Sequence, residues 1–245
     1  MKLILFTLLL SILLISCNAK PKQNSNELKQ NTFEQPTTIT NENQEPDFSG
    51  KNVDITDIFL LLPDNVFPEV PTTVAQRKDL LKCIGDEKAF EISPTPIGVC
   101  DAKNGYLNLT GMQYGWELCY WNLKDARKLV AINNSTESGG EIRIFFYQNG
   151  KLIEDYNYQL GGNQNYKLTD FIDVSQLSSN TQKFAEQQFI KGAWHLFYQL
   201  PQNGTSLKVS IDTYQLMNYD ENHEIPYEAT KEVTLKWKNE TWVKD

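Results

Sequence analysis

The chain of 245 residues carries two histidines, His195 and His223, so acid–base or metal chemistry would fall mainly to carboxylates. Around His223 the segment NYDENHEIPYE brings Asp220, Glu221 and Glu224 close in sequence, a set of donors that a divalent cation could use. Ligands so near one another need a purpose-built loop, and the glycine and alternating-oxygen spacing of a calcium loop is missing. A solvated hairpin tip is expected there, with no metal. His195 lies in AWHLFYQL, where alternation sets Trp194, Leu196 and Tyr198 on one strand face and His195, Phe197 and Gln199 on the other. That is a partly exposed strand position, not a general base. Asp54 and Asp57 could form a carboxylate pair, but at the start of an apolar run they suit a helix N-terminus better. GxSxG, Walker A, GxGxxG and HExxH patterns are absent from the sequence. No catalytic residue and no cofactor is expected.

Cys17 ends an N-terminal hydrophobic run, which leaves Cys83, Cys100 and Cys119 for the folded region. In an oxidising compartment these allow one disulfide and one free thiol, in three possible pairings. The pairing expected is Cys83–Cys100, which would staple a helix to the first strand after it, with Cys119 an apolar residue in ELCYW. A catalytic Cys119 or a cysteine metal site would need CxxC or histidine spacings that the chain does not contain.

The chemistry that the sequence offers most of is aromatic. Trp116, Trp121, Trp194 and Trp237 fall in expected strands or at their ends, as do Tyr120, Tyr147, Tyr156, Tyr158, Tyr198, Tyr214 and Trp242. On a half-exposed sheet the four tryptophans could form a platform for a sugar, a peptide or a partner protein. Aromatics also prefer strands and fill sheet cores, and each one singly suits the core as well.

These side chains must be held by an α+β fold, mainly an antiparallel sheet with one or two helices packed on it. The stretch DITDIFLLLPDNVFPEV reads as an Asp-capped helix or turn stopped at Pro63, with Asp64 a turn residue. TTVAQRKDLLKCIGD predicts a helix over 73–84 that buries Val74, Leu80, Leu81 and Ile84, with Gly85 at its end. Strands are expected in GYLNLTG, WELCYWNL, RKLVAINNS and IRIFFYQNGKLIEDYNYQL, with Asn149-Gly150 a type I′ hairpin turn. QKFAEQQFIK predicts a short helix carrying Phe184, Phe189 and Ile190. AWHLFYQL, SLKVSIDTYQLMN, EATKEVTLKWK and ETWVKD then complete the strands. Two internal echoes, IRIFFYQNGKLIED with VTLKWKNETWVKD and LLLPDN with YQLPQN, suggest tandem similar α+β halves over 51–160 and 161–245.

Residues 18–50, rich in Asn, Gln, Thr, Pro and Glu with isolated apolar residues, cannot bury enough surface to offset chain entropy and read as a disordered tether. The formal charge of −8 is that of a poor nucleic-acid binder, since phosphate contact needs clustered Lys and Arg. Lys2 and the apolar run Leu3–Ile15 suit a signal peptide over 1–16, being shorter than the ~20 residues a bilayer span needs. The run ends in Leu14, Ile15, Ser16 and Cys17, which resembles a bacterial lipobox. The resemblance implies cleavage before Cys17, lipid on its sulfur and α-amino group, and a membrane anchor for the region from 17 onward. In the resembled Gram-negative lipoproteins an aspartate after the cysteine marks inner-membrane retention. Asn18 stands there, with Lys20 and Lys22 following, which implies an outer-membrane anchor facing the periplasm. Leu60, Pro63 and Asp64, followed by Arg77, Lys78, Asp79 and Leu80, also resemble uncharacterised Bacteroidales lipoproteins. That resemblance implies a lineage and no activity.

The expectation is a membrane-anchored lipoprotein of the bacterial cell envelope, acting as a non-catalytic binding or interaction module for an envelope protein or glycan. A glycan or peptide hydrolase with acidic residues, and an inhibitor-like protein of an envelope enzyme, are the alternatives.

Overall fold

A reciprocal cap sets the first helix. Asp54 accepts from the N–H groups of Thr56 and Asp57 at 2.8 and 3.1 Å, while Asp57 accepts from the N–H of Asp54 at 3.2 Å. This starts α1 (Ile55–Leu61), whose Ile55, Ile58 and Phe59 are buried. The carboxylate pair is thus a capping device. The computed structural model that shows it describes residues 52–67, 72–111, 115–136, 139–192 and 194–245, with the side chains of 135–140 excepted. The signal peptide, Cys17 and the expected tether lie outside the described residues.

Thr73 and Gln76 cap α2 (Val74–Lys82) in the same reciprocal way. The residues that α2 buries are Leu80 and Arg77, while Ile84 lies beyond the helix end and is exposed. An arginine takes the place expected of an aliphatic residue because it has backbone carbonyls to satisfy. It donates to the carbonyls of Thr72 and Leu62 and pairs with Asp64 at 3.2 Å. The residues of the Leu60–Asp64 and Arg77–Leu80 resemblance therefore meet in space as a clamp between the end of α1 and the start of α2. A short helix α3 (Ala89–Ile92) follows.

Among the described residues two antiparallel sheets form. The first is a six-stranded meander of β1 (Ile97–Asp101), β2 (Tyr106–Thr110), β3 (Gly115–Asn122), β4 (Lys128–Thr136), β5 (Gly139–Gln148) and β6 (Lys151–Glu154). Its register places Tyr106, Cys119, Ala131 and Ile144 across one face and Leu107, Leu118 and Ile132 across the other. The second set packs with the α1–α3 residues, and the first packs with the C-terminal half. Both faces of this sheet are therefore core.

The C-terminal half contains α4 (Leu168–Phe171), α5 (Ser179–Lys191), β7 (Leu196–Gln199), β8 (Leu207–Ile211), α6 (Thr213–Leu216), β9 (Val233–Lys238) and β10 (Thr241–Lys244). Its strands form a second sheet in the order β10-β9-β8-β7. The helix expected in QKFAEQQFIK starts earlier, capped by Ser178, and Gly192, at φ +71°, ends it; Ile190, however, points to solvent at 85% exposure. The strand expected through SLKVSIDTYQLMN stops at Ile211, because Asp212 accepts from the N–H groups of Tyr214 and Gln215 and starts α6 instead.

The fold is α+β, with helices before a meander sheet in each half and α6 inserted between β8 and β9 in the second. The hairpin echo holds in three dimensions. Asn149 and Gly150 turn β5 into β6, Asn239 and Glu240 turn β9 into β10, and all four residues have positive φ. Each hairpin closes its own sheet. The second echo does not hold, since LLLPDN follows a helix whereas YQLPQN follows a strand.

The free edge of the second sheet is sealed against the face of the first. Asn133 Nδ2 donates to the carbonyl of Tyr198 at 2.6 Å and to Glu117 Oε2 at 2.9 Å. The N–H of Leu200 donates to the same Glu117 oxygen at 3.0 Å, and Tyr106 Oη donates to Glu117 Oε1 at 3.0 Å. Burial and the neighbouring Glu117 carboxylate both push the Tyr106 phenol up, so it remains a donor. Two polar side chains on this sheet face, Glu117 and Asn133, thus satisfy the backbone of an edge strand.

Candidate functional site

Trp116 and Trp121 do not form a platform: they are 2% and 3% exposed. Trp116 packs edge-on to Phe67 at 5.3 Å on the α1–α3 side of the first sheet. Trp121 points the opposite way, edge-on to Trp242 at 5.1 Å, and its Nε1 donates to the carbonyl of Thr205. Trp237 completes that trio, with ring centres 4.5 Å from Trp242. Trp194 stacks on Phe189 at 4.5 Å and donates to its carbonyl, which fastens the end of α5 to β7. The reason is the second layer: a sheet covered on both faces leaves no aromatic row for solvent.

The acidic segment at Asp220 is likewise turned to structure. His223 Nδ1 lies 3.0 Å from Asp220, and its ring stacks on Phe184 of α5 at 4.4 Å. Bonds from the Asn222 backbone and side chain, then from His223, hold the Asp220 carboxyl below its usual range. The segment forms a short 3-10 turn, Glu221–His223. Asp220, Glu221 and Glu224 line a hollow of about 540 Å³ with Tyr214, Met217 and Ile225. Among the described residues no three or more His, Cys, Asp or Glu side chains gather as metal ligands. His195 is exposed just before β7.

Cys83 sits at the C-terminal end of α2 and Cys100 in β1, both partly buried against the α1–α3 cluster. Cys119 is buried on the opposite face, and burial pushes its thiol up. All three stand as free thiols.

The residues that do converge around open space lie on an irregular segment. Strand β6 ends at Glu154, earlier than the alternation through Tyr158 suggests, because Asp155 accepts from the N–H of Asn157 at 2.9 Å and turns the chain. Gly161 and Gly162 follow at φ +80° and +70°. At Gly161 a Cβ would come within 2.7 Å of Leu235, so this close pass over the second sheet needs glycine. The result is a groove of about 360 Å³ between this segment, Ile142 of β5, and Leu196 and Tyr198 of β7. Tyr158, Tyr166 and Tyr198 supply its rings, and Gln159, Asn163 and Gln164 its amides.

Packing fixes the rings. Tyr158 meets Phe146 edge-on at 5.8 Å, and Tyr166 leans on Phe171 at 5.2 Å. Gln164 donates from one amide nitrogen to the carbonyls of Gly161 and Trp242, which pins the loop to β10. Burial pushes all three phenols above their ordinary value, and Tyr198 adds to the shift at Tyr166. They are neutral donors at physiological pH.

A second hollow of about 240 Å³ shares Ile142 and Tyr158 with the groove and extends it along β5 and β6. Here Arg143 makes two 2.7 Å contacts to Glu154. Hydrogen bonding from Arg143, then from Tyr156, holds the Glu154 carboxyl below its usual range. Of the groove tyrosines, sequence alternation marked Tyr158 and Tyr198 only as strand aromatics, and Tyr166 not at all. The local signal was DYNYQLGGNQNY, in which paired glycines separate tyrosines and amides at no strand period.

No family model matches the chain, and no curated protein matches it. Its fold is similar to a solved domain of an uncharacterized protein from Porphyromonas gingivalis W83, with a TM-score of 0.48 and 14% identity, over 78% of this chain and 97% of that one.

Proposed function

We propose that this protein is a non-catalytic binding module held at the bacterial envelope, and that its ligand sits in the tyrosine-lined groove. The observation that carries the reading is the convergence of Tyr158, Tyr166 and Tyr198 with three amide side chains around one open trough. Phenols and amides recognise a ligand by stacking and hydrogen bonding. The carboxylates beside the groove are engaged, Glu154 by Arg143 and Asp170 by Lys244, and the Glu154 carboxyl is held ionised, the state of an ion-pair partner and not of a proton donor. Hydrogen exchange of the full chain, with and without an envelope extract, tests the site. Protection should appear in 156–166 and in β7; protection confined to other elements overturns the reading.

The address rests on Leu14–Cys17. Lipid on Cys17 would hold the domain to the outer membrane through the segment 18–50. Among the described residues no helix is long and apolar enough to cross a membrane. Two or three acyl chains make such an anchor stable, at ~0.8 kcal/mol per buried methylene. Labelled palmitate should enter the wild-type protein in cells and be lost from Cys17→Ser; labelling that persists in the variant overturns the anchor.

A further inference from the structure

We propose that the groove takes a neutral oligosaccharide, an inference that rests on the binding-module reading and narrows it to one ligand class. A pyranose ring has an apolar C–H face and a rim of hydroxyls that both donate and accept. The groove answers both: the rings of Tyr158, Tyr166 and Tyr198 offer apolar surface with a polar tip, Gln159 and Asn163 bear amides able to donate and accept, and Gln164, its NH₂ committed to Gly161 and Trp242, adds an acceptor oxygen. No charged side chain is among the described residues that line it. Nearby Lys244, 5.9 Å from the Tyr166 ring centre, is paired with Asp170 at 2.8 Å.

The flanking hollow argues against an anionic sugar. Its one guanidinium, Arg143, is taken by Glu154, which leaves Glu141 and Asp155 as acidic flank. The chain as a whole carries a formal charge of −8. Uronic acids and phosphorylated glycans would meet repulsion without a cation to offset it.

The edge of the second sheet argues against an extended peptide, which binds most readily by adding a strand to a free edge. Strand β5 is paired with β4 along its length and with β6 over Phe145–Gln148, and the Ile144 carbonyl is taken by the Asp155 N–H. At β7 the outward carbonyl of Tyr198 is taken by Asn133, and the following Leu200 N–H by Glu117. A peptide beside β7 would find these main-chain groups already bonded. The trough is long enough for more than one sugar unit, because the 360 Å³ groove and the 240 Å³ hollow share Ile142 and Tyr158.

The test is an array of neutral and anionic oligosaccharides probed with the detergent-solubilised full chain, followed by calorimetry on the strongest neutral binder and on triglycine. Binding of a neutral glycan is expected, weakened about three- to tenfold by Tyr166→Phe and by Asn163→Ala, each of which removes hydrogen-bonding groups. Asn163 is exposed, so its variant keeps the fold, and exposed Tyr227→Ala serves as a surface control that binds as wild type does. Stronger binding to anionic glycans, or no binding to any neutral one, overturns the inference. Triglycine binding with the same residue dependence overturns the ligand class but leaves the binding module standing. If neither probe class responds to the groove substitutions, and 156–166 shows no exchange protection with the extract, both readings fall.

Discussion

Arg77→Ala is expected to destabilise the protein by about 3–5 kcal/mol, whereas Asp64→Asn should cost less than about 1 kcal/mol. The two residues form one ion pair, yet their surroundings differ. The Arg77 side chain is 0% exposed and that of Asp64 is 56% exposed. Removing the arginine takes a charged donor from the carbonyls of Thr72 and Leu62 and opens a void beneath the Phe59 ring, 6.0 Å away. Removing the carboxylate leaves a guanidinium that still donates to both carbonyls. Burial pulls Arg77 below its ordinary value and Asp64 opposes that shift, but the group stays charged across the physiological range. Arg77→Lys should fall between the two, since one ammonium cannot reproduce a planar fork. Equilibrium urea unfolding of the three variants measures this, and an Asp64→Asn loss as large as that of Arg77→Ala would falsify the clamp.

The second large effect belongs to Glu117. Its two oxygens accept from three donors, Tyr106 Oη, Asn133 Nδ2 and the Leu200 N–H. Glu117→Leu leaves those donors facing an alkyl group, and the expected loss is about 3–4 kcal/mol. Glu117→Gln should lose about 1 kcal/mol, because a glutamine oxygen can face Asn133 and Leu200 while its NH₂ meets Tyr106, whose hydroxyl can also accept. Exchange of the Leu200 amide locates the damage. It should accelerate in Glu117→Leu more than the amides of β2 and β3 do, since Leu200 is the link to the other half. Equal losses for the two variants, with Leu200 exchange unchanged, would mean that the carboxylate does not hold the halves together.

Legibility in the sequence followed the range of the forces involved. The Asn149-Gly150 hairpin and the cap at Asp54 depend on neighbours within a few residues, and the chain declares them. Helix α6 did not show, because TYQL suits a strand by composition and the cap at Asp212 overrides that preference. The tryptophans failed for a longer-range reason. Alternation separates Trp116 from Trp121 onto opposite faces, but only the layers on both sides of the sheet make both faces interior. Arg77 was missed because helix periodicity seeks apolar residues, and its purpose is to satisfy carbonyls from another segment. The groove was least visible, since its rings and amides lie on a turn-rich stretch without a period and meet β7 only through tertiary packing.

The first sheet also acts as a partition between thiols. Cys83 and Cys100 border the cluster on its helical side, and Cys119 is sealed on the other. Of the three conceivable cystines, those that include Cys119 would have to pass through a hydrogen-bonded sheet, and only Cys83 and Cys100 share a side of it. Cys119 is thereby a native tell-tale: an alkylating reagent reaches it only when the sheet comes apart, and its modification keeps a chemical record of each molecule that has opened.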